Sequence, residues 1–268
     1  MRSALLAGRD HTTLGAIEVV AEGACAVALS RGGAAKTYSH TEPNEDACLF
    51  AVGPGGAVLA VADGHHGAIG AEIAMRQLLE HNAERWTAAS AGSPDELERE
   101  VSAAVSATNL AILGEAERSS LRPSPTTLCL VVIRPEDDIL VHASAGDSHI
   151  FWTRDAAPVD IGWAAHSSER PAYLGYPPSA EHEAKRGIGT FPLAGTRSVV
   201  LVTDGFSEHG IGHDKPETEL HAIQSQSLSC AADLRPIETC RGVAQSANQI
   251  QRKHRAGDNL GCAVWIAD

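Results

Sequence analysis

The sequence lacks the features that mark a zinc site, a secreted protein or a membrane protein. No C-x-x-C pair occurs among its six cysteines, which are scattered through apolar segments. No stretch reaches the roughly 20 uncharged apolar residues of a membrane span. Arg9 and Asp10 interrupt the apolar patch at 4–7 before a signal-peptide core could form. We therefore expect a soluble, cytoplasmic protein with reduced cysteines and no membrane partner.

Basic residues are also scarce. The 268-residue chain has 21 lysines and arginines against 34 acidic residues, a formal net charge of −13. A surface of this sign repels a phosphate backbone, so no nucleic-acid partner is expected. The chain has no internal repeat, and the Pro- and Gly-rich stretch 154–196 is typical of loops with short elements rather than of a linker. We predict a single domain over residues 1–268.

Short apolar segments bounded by Gly, Asp or Pro predict strands, and three longer segments predict helices. The strands are expected at 25–30, 47–52, 57–62, 127–134, 138–144, 149–153, 198–203 and 260–267. The helices are expected at about 69–86, from Ser93-Pro94 to about 118, and at about 236–254. Because the helices stand in separate blocks, the pattern favours an α+β domain with two largely antiparallel sheets packed together and helices outside.

The acidic residues beside predicted strands are the first candidates for a functional site. Three apolar segments run into an aspartate followed by a small residue, at Asp63-Gly64, Asp147-Ser148 and Asp204-Gly205. Two further acidic sites, Glu45-Asp46 and Asp258-Asn259, precede predicted strands. Each Asp-Gly taken alone is more typical of a turn than of a ligand.

Five such sites together favour a metal centre, since neighbouring strand ends would crowd carboxylates that repel one another. An all-oxygen, carboxylate-rich set selects Mg²⁺ or Mn²⁺ over zinc, which prefers His and Cys. Gly64 has no side chain to keep its own carbonyl away from the same ion.

The ordered motifs resemble those of one enzyme family. The series is Asn44-Glu45-Asp46, Asp63-Gly64-His65-His66-Gly67, Ser144-Ala145-Gly146-Asp147-Ser148, Thr203-Asp204-Gly205 and Gly257-Asp258-Asn259. In order and coarse spacing it resembles the type 2C metal-dependent protein phosphatases, in their bacterial-like single-domain form, from about residue 10 to the C-terminus. The resemblance implies an αββα four-layer sandwich of two antiparallel sheets flanked by helices, in agreement with the segment pattern.

The resemblance also implies a role for each acidic motif. Asp63 would be the carboxylate that bridges two metal ions, and Asp204 and Asp258 would complete the shell of one of them. The same match implies the remaining ligands: the Gly64 carbonyl, Glu45 and Asp46 through metal-bound waters, and Asp147 with Asp204 for a weaker third metal.

The implied reaction is hydrolysis of phosphoserine and phosphothreonine. Two Mg²⁺ or Mn²⁺ ions would lower the pKa of a shared water enough to present a metal-bridging hydroxide and would orient the phosphoryl group for in-line attack. Asp63 and His65 would be the catalytic residues, because His65 aligns with the family's general acid, with His66 as the neighbouring alternative. A phosphorylated protein is the implied substrate and a cognate serine/threonine kinase the implied partner.

The sequence departs from the family at the phosphate clamp. Most members place an arginine four residues before the Glu of the Glu-Asp pair, and here that position is Thr41. Lys36 or Arg31 is the expected phosphate-binding substitute, although a lysine ammonium is a point charge and not a planar fork of donors. Both residues are equally typical of exposed surface charges.

Two alternative functions stay open: a weak or inactive relative that binds a phosphorylated partner, and a phosphatase of small phosphate esters or of an anti-sigma-factor type regulator.

Overall fold

Two antiparallel six-stranded sheets form the centre of the computed structural model, which describes residues 1–89, 92–119, 124–154, 157–162 and 171–267. Sheet 1 contains, in spatial order, β1 (Arg2–Ala7), β4 (Asp46–Gly53), β5 (Gly56–Asp63), β6 (Leu128–Arg134), β7 (Ile139–Ala145) and β10 (Gly187–Pro192). Sheet 2 contains β2 (Ile17–Glu22), β3 (Cys25–Ser30), β12 (Leu260–Ile266), β11 (Ser198–Val202), β8 (His149–Thr153) and β9 (Val159–Asp160).

Helices cover the outer face of each sheet. On sheet 1 lie α1 (Ile69–Leu78), which continues through a π-helical turn at Leu79–Ala83 into α2 (Glu84–Trp86), and α3 (Pro94–Ser119). The other α-helices of the described residues are α4 (Ala180–Ala184) and, on the sheet 2 side, α5 (Pro216–Ser227) and α6 (Arg235–His254).

Three apolar layers hold these elements together. The central layer lies between the sheets and includes Leu29, Phe50 and Leu201. The outer layers lie between each sheet and its helices, as with Trp86 on sheet 1 and Val243 on sheet 2. Because the inner strands are covered on both faces, they are continuous apolar runs without alternation, and every residue of β3 is buried.

The predicted α+β sandwich is confirmed, and the three predicted helices and eight predicted strands are present within about two residues of their expected ends. The four strands that the pattern missed, β1, β2, β9 and β10, are the four sheet edges. Edge strands are partly exposed or short, so their sequences lack the apolar density of inner strands. Also missed are α4 and α5, whose exposed faces are mostly polar.

The stretch 154–196 contains β9, α4 and β10, which fits the expected loops with short elements, while its residues 155–156 and 163–170 lie outside the described part. All six cysteines are free and five of them are buried. Among the described residues, no helix has the length and apolarity needed to cross a membrane.

The end of β5 is fixed by two threonines that precede β6. The Asp63 N–H donates to Oγ1 of Thr127 (2.8 Å), and the Asp63 carbonyl accepts from the Thr127 N–H (2.9 Å) and the Thr126 hydroxyl (2.8 Å). The Thr127 hydroxyl also bonds Oγ of Ser148 at 2.8 Å. The backbone of Asp63 therefore has little freedom to move.

We expect Thr127→Val to lower the free energy of unfolding by about 1–3 kcal/mol, because the isosteric change leaves the buried Asp63 N–H without its acceptor. Urea denaturation followed by circular dichroism measures the change. Thr218→Val, at an exposed position of α5, is the matched control and should change the stability by about 0.5 kcal/mol or less. Equal stability of the two variants would contradict the anchoring role.

Candidate active site

Strand ends from both sheets bring aspartates to one edge of the sandwich. Asp46 begins β4 and pairs in register with Asp63 at the end of β5. In sheet 2, Asp204 follows β11 and Asp258 precedes β12, and these two strands are antiparallel neighbours. The Thr203 hydroxyl donates to Oδ2 of Asp46 at 2.7 Å and so links the two sheets at this edge.

A cavity of about 260 Å³ opens at this edge. Its lining includes five carboxylates: Glu45, Asp63, Asp204, Glu208 and Asp258. The other lining residues are Lys36, Tyr38, Ser39, Gly64, His65 and His66.

Three closely spaced acids combine two predicted ligands with one that the sequence pattern did not identify. Asp204, Glu208 and Asp258 each offer a carboxylate oxygen, and these oxygens lie within 4.8 Å of one another. A helical turn after Asp204 brings Glu208 to it, with the Glu208 N–H donating to the Asp204 carbonyl at 2.6 Å. The signal in the sequence is the i, i+4 spacing of two acids after a strand. Such an all-carboxylate group fits a hard divalent cation.

Burial and mutual repulsion disfavour the ionised form of these acids. Burial, followed by the charge of Asp258, raises the pKa of both Asp46 and Glu208 to about 7. Burial raises the pKa of Asp63 and Asp204 well above the usual value, reinforced by the neighbouring acids. A bound divalent cation would reverse this preference, because it stabilises the ionised carboxylates.

Lys36 places a cationic side chain among these acids. Its side chain is only 4% exposed, and Nζ lies 3.2 Å from Oδ1 of Asp258 and 3.5 Å from Oε2 of Glu45. Burial opposes the charge on Lys36, but four carboxylates outweigh it and raise the pKa. Nζ also lies 5.2 Å from the centre of the Tyr38 ring, whose hydroxyl donates to Asp258.

The other expected phosphate-binding residue is placed differently. The Arg31 guanidinium donates to the Thr12 carbonyl at 2.8 Å in an exposed setting and does not line the cavity. Thr41, which stands where most family members have arginine, uses its backbone N–H to hold Oε1 of Glu45 at 3.0 Å. Of the two candidates, only Lys36 can reach a group inside the cavity.

Close backbone packing explains the glycine after Asp63. The Gly64 N–H donates to the Glu45 carbonyl at 3.2 Å. A Cβ on residue 64 would lie 2.6 Å from the carbonyl oxygens of Glu45 and Gly67. Only glycine fits here, which leaves the Gly64 backbone at the cavity wall.

The two histidines line the cavity beside Asp63. Nδ1 of His65 is buried, lies 3.9 Å from Oδ2 of Asp63, and has no hydrogen-bond partner among the described residues. The His65 ring packs at 4.7 Å against Tyr173. His66 has a left-handed backbone with φ of 63°.

Asp147 is not among the described residues that line the cavity, but it interacts with residues of this site. Tyr173, which sequence reasoning missed, donates its hydroxyl to Oδ2 of Asp147 at 2.7 Å. The charge of Asp147 also contributes to the raised pKa of Asp204, so the two acids interact electrostatically. This position fits a further cation near Asp204.

A hydrogen-bond chain supports the turn that carries Asp204 and Glu208. Asp160 bonds Nδ1 of His149 at 2.7 Å, and Nε2 of His149 bonds Oγ of Ser207 at 2.5 Å. This connectivity is that of a nucleophilic triad. However, the Ser207 hydroxyl also contacts the Asp204 carbonyl at 3.4 Å, and neither Ser207 nor His149 lines the cavity. We interpret the chain as a support for the Asp204 turn.

Comparisons with known proteins identify the family of the chain. The family model described as "Protein phosphatase 2C" matches residues 33–234, so the chain belongs to the protein phosphatase 2C family. A comparison with curated proteins by sequence finds no match. Asp258 lies beyond the matched range, although it is part of the same acidic group.

Solved structures share the fold at low sequence identity. The Mycobacterium tuberculosis serine/threonine phosphatase PstP is 18% identical, with 94% of this chain and 99% of that chain covered and a TM-score of 0.62. The catalytic domain of PstP in complex with two manganese ions is 18% identical over 94% and 100%, with a TM-score of 0.61. PppA, a regulatory component of the Pseudomonas aeruginosa type VI secretion system, is 18% identical over 94% and 100%, with a TM-score of 0.63.

The raised pKa values predict how pH affects the metal-free protein. The folded pKa of Asp46 is about 7, against an unfolded value of about 4. Between these values the folded protein binds more protons than the unfolded chain, so this contribution to stability is present below about pH 4 and is lost as pH rises through about 7.

We expect Asp46→Asn to raise the unfolding midpoint in EDTA by about 5 °C at pH 8 and by much less at pH 5, because the amide cannot ionise. Scanning calorimetry at both pH values measures the shift. Asp214→Asn, at an exposed position, is the control and should show no such difference. An equal gain at both pH values would mean that Asp46 carries no pH-dependent penalty.

Proposed function

We propose that the protein is a Mg²⁺- or Mn²⁺-dependent serine/threonine protein phosphatase. The observation that carries the proposal is the buried and partly buried acidic cluster at the shared edge of the two sheets, beside His65. A cluster of this kind is costly without cations, since like charges in a poorly solvated site repel one another. Membership of the protein phosphatase 2C family supports the same reaction class.

The acidic residues of the site suit two cations and a third cation that is bound more weakly. Asp204, Glu208 and Asp258 would hold one ion, and Asp63 would bridge it to another beside the Gly64 carbonyl. Glu45 and Asp46 would act on the second ion through water, and Asp147 would support the third. Bound cations would supply Lewis-acid activation of water and of the phosphoryl group.

Lys36 would bind the phosphate that an arginine holds in most family members. Its ammonium lies inside the cavity and is already close to two carboxylates that cations would neutralise. A point charge gives less orientation than a planar guanidinium, so phosphate binding should be weaker than with a bidentate clamp.

His65 would donate the proton that the leaving serine or threonine oxygen needs. It lines the cavity next to Asp63, and its buried Nδ1 has no protein partner in the described part of the chain. His66 lines the same wall and is the alternative donor. The cavity is small and open at the surface, which suits the phosphorylated side chain of a protein. A serine/threonine kinase would produce that substrate.

The first test is Mn²⁺-stimulated hydrolysis of a phosphothreonine peptide. The wild-type protein should turn over the peptide with Mn²⁺ and not with EDTA, and Asp63→Asn should reduce kcat/KM at least about a hundredfold, a loss of about 3 kcal/mol in transition-state stabilisation. Asp233→Asn, at an exposed site, should keep full activity.

Calorimetry with Mn²⁺ separates the alternatives. Tight Mn²⁺ binding without turnover would favour a weak or inactive relative that binds a phosphorylated partner. Turnover of an aryl phosphate but not of any phosphopeptide would favour a phosphatase of small esters. Absence of Mn²⁺ binding, or full turnover in Asp63→Asn, would overturn the proposal.

The second test concerns Lys36. Lys36→Met should raise KM for the phosphopeptide about tenfold with little change in kcat, because a charge-assisted contact with the phosphate is lost. Lys36→Arg should restore KM, and Lys253→Met, at an exposed position of α6, should have no effect. If Lys36→Met tightens Mn²⁺ binding and leaves KM unchanged, Lys36 serves only as a counter-charge for the carboxylates.

A further inference from the structure

A second cavity lies at the opposite end of β11 from the acidic cluster. It has a volume of about 530 Å³ and is lined by residues that include Arg197, Ser198, His221, Leu228, Arg235 and Ile266. Ser198 is the first residue of β11, whereas Asp204 follows the last, so the strand separates the two sites. A five-residue strand spans roughly 17 Å, which makes this cavity a separate site.

The charge of this second cavity is opposite to that of the chain. The protein has 34 acidic residues, yet no carboxylate occurs among the described residues that line it, which include two arginines and a histidine. In a chain with a net charge of −13, a concave surface with only basic ionisable groups attracts anions.

Arg235 is the residue that most needs a ligand. Its Nε is buried and has no hydrogen-bond partner in the part of the chain that the structure describes. A buried donor without an acceptor costs about 1–3 kcal/mol. Arg235 is also the first residue of α6, where the positive end of the helix dipole disfavours a cation. An anion in the cavity would offset the second cost by neutralising the guanidinium charge at this end of the helix.

The rest of the lining provides an apolar surface for the non-ionic part of a ligand. Leu228 is 61% exposed at the rim, and Ile266 and Ala267 contribute apolar wall. Neutral polar groups are already engaged: Nε2 of Gln224 donates to Oγ of Ser198 at 2.8 Å. The volume is in the range of sites for small organic ligands.

We propose that this cavity binds a small amphipathic organic anion, with its carboxylate or phosphoryl group on Arg235 and Arg197 and its apolar body against Leu228 and Ile266. The proposal is independent of the phosphatase activity, because it rests on residues at the other end of β11. Guanidinium groups suit both kinds of anion, since each can accept a planar pair of N–H donors.

Isothermal titration of the full chain in the presence of Mg²⁺ tests the proposal. The probes are 4-phenylbutyrate, 3-phenylpropylphosphonate and the neutral 4-phenylbutanol. At least one of the two anions should bind saturably and at least about tenfold more tightly than the alcohol, and the tighter of the two identifies the preferred anionic group.

Arginine variants locate the binding. Arg235→Gln and Arg197→Gln should each weaken the anion about tenfold, and Arg235→Lys should restore part of the loss. Arg241→Gln, on the same helix and paired with Glu238, is the matched control and should bind as the wild type does. Arg197 is exposed, so its variant keeps the test valid if Arg235→Gln fails to fold. No saturable binding, equal binding of the alcohol, or unchanged affinity in both arginine variants would overturn the proposal.

The acidic residue Asp268 follows Ala267 in the chain and lies outside the described residues. An Asp268→Asn variant shows whether it competes for the same arginines. Tighter binding of the anion in this variant would support the cavity as an anion site, and it would identify Asp268 as a competitor. Saturable binding that is the same in this variant and the wild type would support a free site.

Discussion

Repulsion between buried carboxylates is the constraint on which the rest of this structure depends. Asp46, Asp63, Asp204 and Asp258 come from the ends of four strands in two sheets, and their burial raises the pKa of the first three. Folding must hold these groups together against their own charge. The central apolar layer between the sheets supplies that force, because each of the four strands that carry the acids also places buried apolar residues in it.

The polar residues around the cluster then fix where each acid lies. Thr203 bonds Asp46 across the sheets, and Thr126 and Thr127 hold the backbone of Asp63. Oδ1 of Asn259 accepts the Glu45 N–H at 2.8 Å, which couples the residue after Asp258 to the start of β4. These neutral hydrogen bonds position the acids without adding cations that would compete with a metal.

The sequence was sufficient for the architecture of the inner strands and for most of the cluster, but not for the edges. The apolar density of the sequence predicts the inner strands, whereas the four edge strands lack that density. Asp63, Asp204 and Asp258 could be found because each lies next to an inner strand. Glu208 could have been found from its i, i+4 spacing to Asp204 after an inner strand. Tyr38 and Tyr173 could not, since they reach the site from loops whose paths depend on tertiary packing. For the same reason, the sequence left Lys36 and Arg31 equivalent, and only the fold separates them.

Lys36 connects the electrostatics of the cluster to the proposed reaction. Without metal ions, its ammonium lies against Asp258 and Glu45 and provides a countercharge inside the cavity. In the proposed phosphatase, divalent cations would take over that neutralisation, and the ammonium would become available to the phosphate. In the proposed phosphatase, a lysine within the cluster in place of a guanidinium clamp would therefore tie phosphate binding to metal occupancy, because the same carboxylates hold the lysine when the metal is absent.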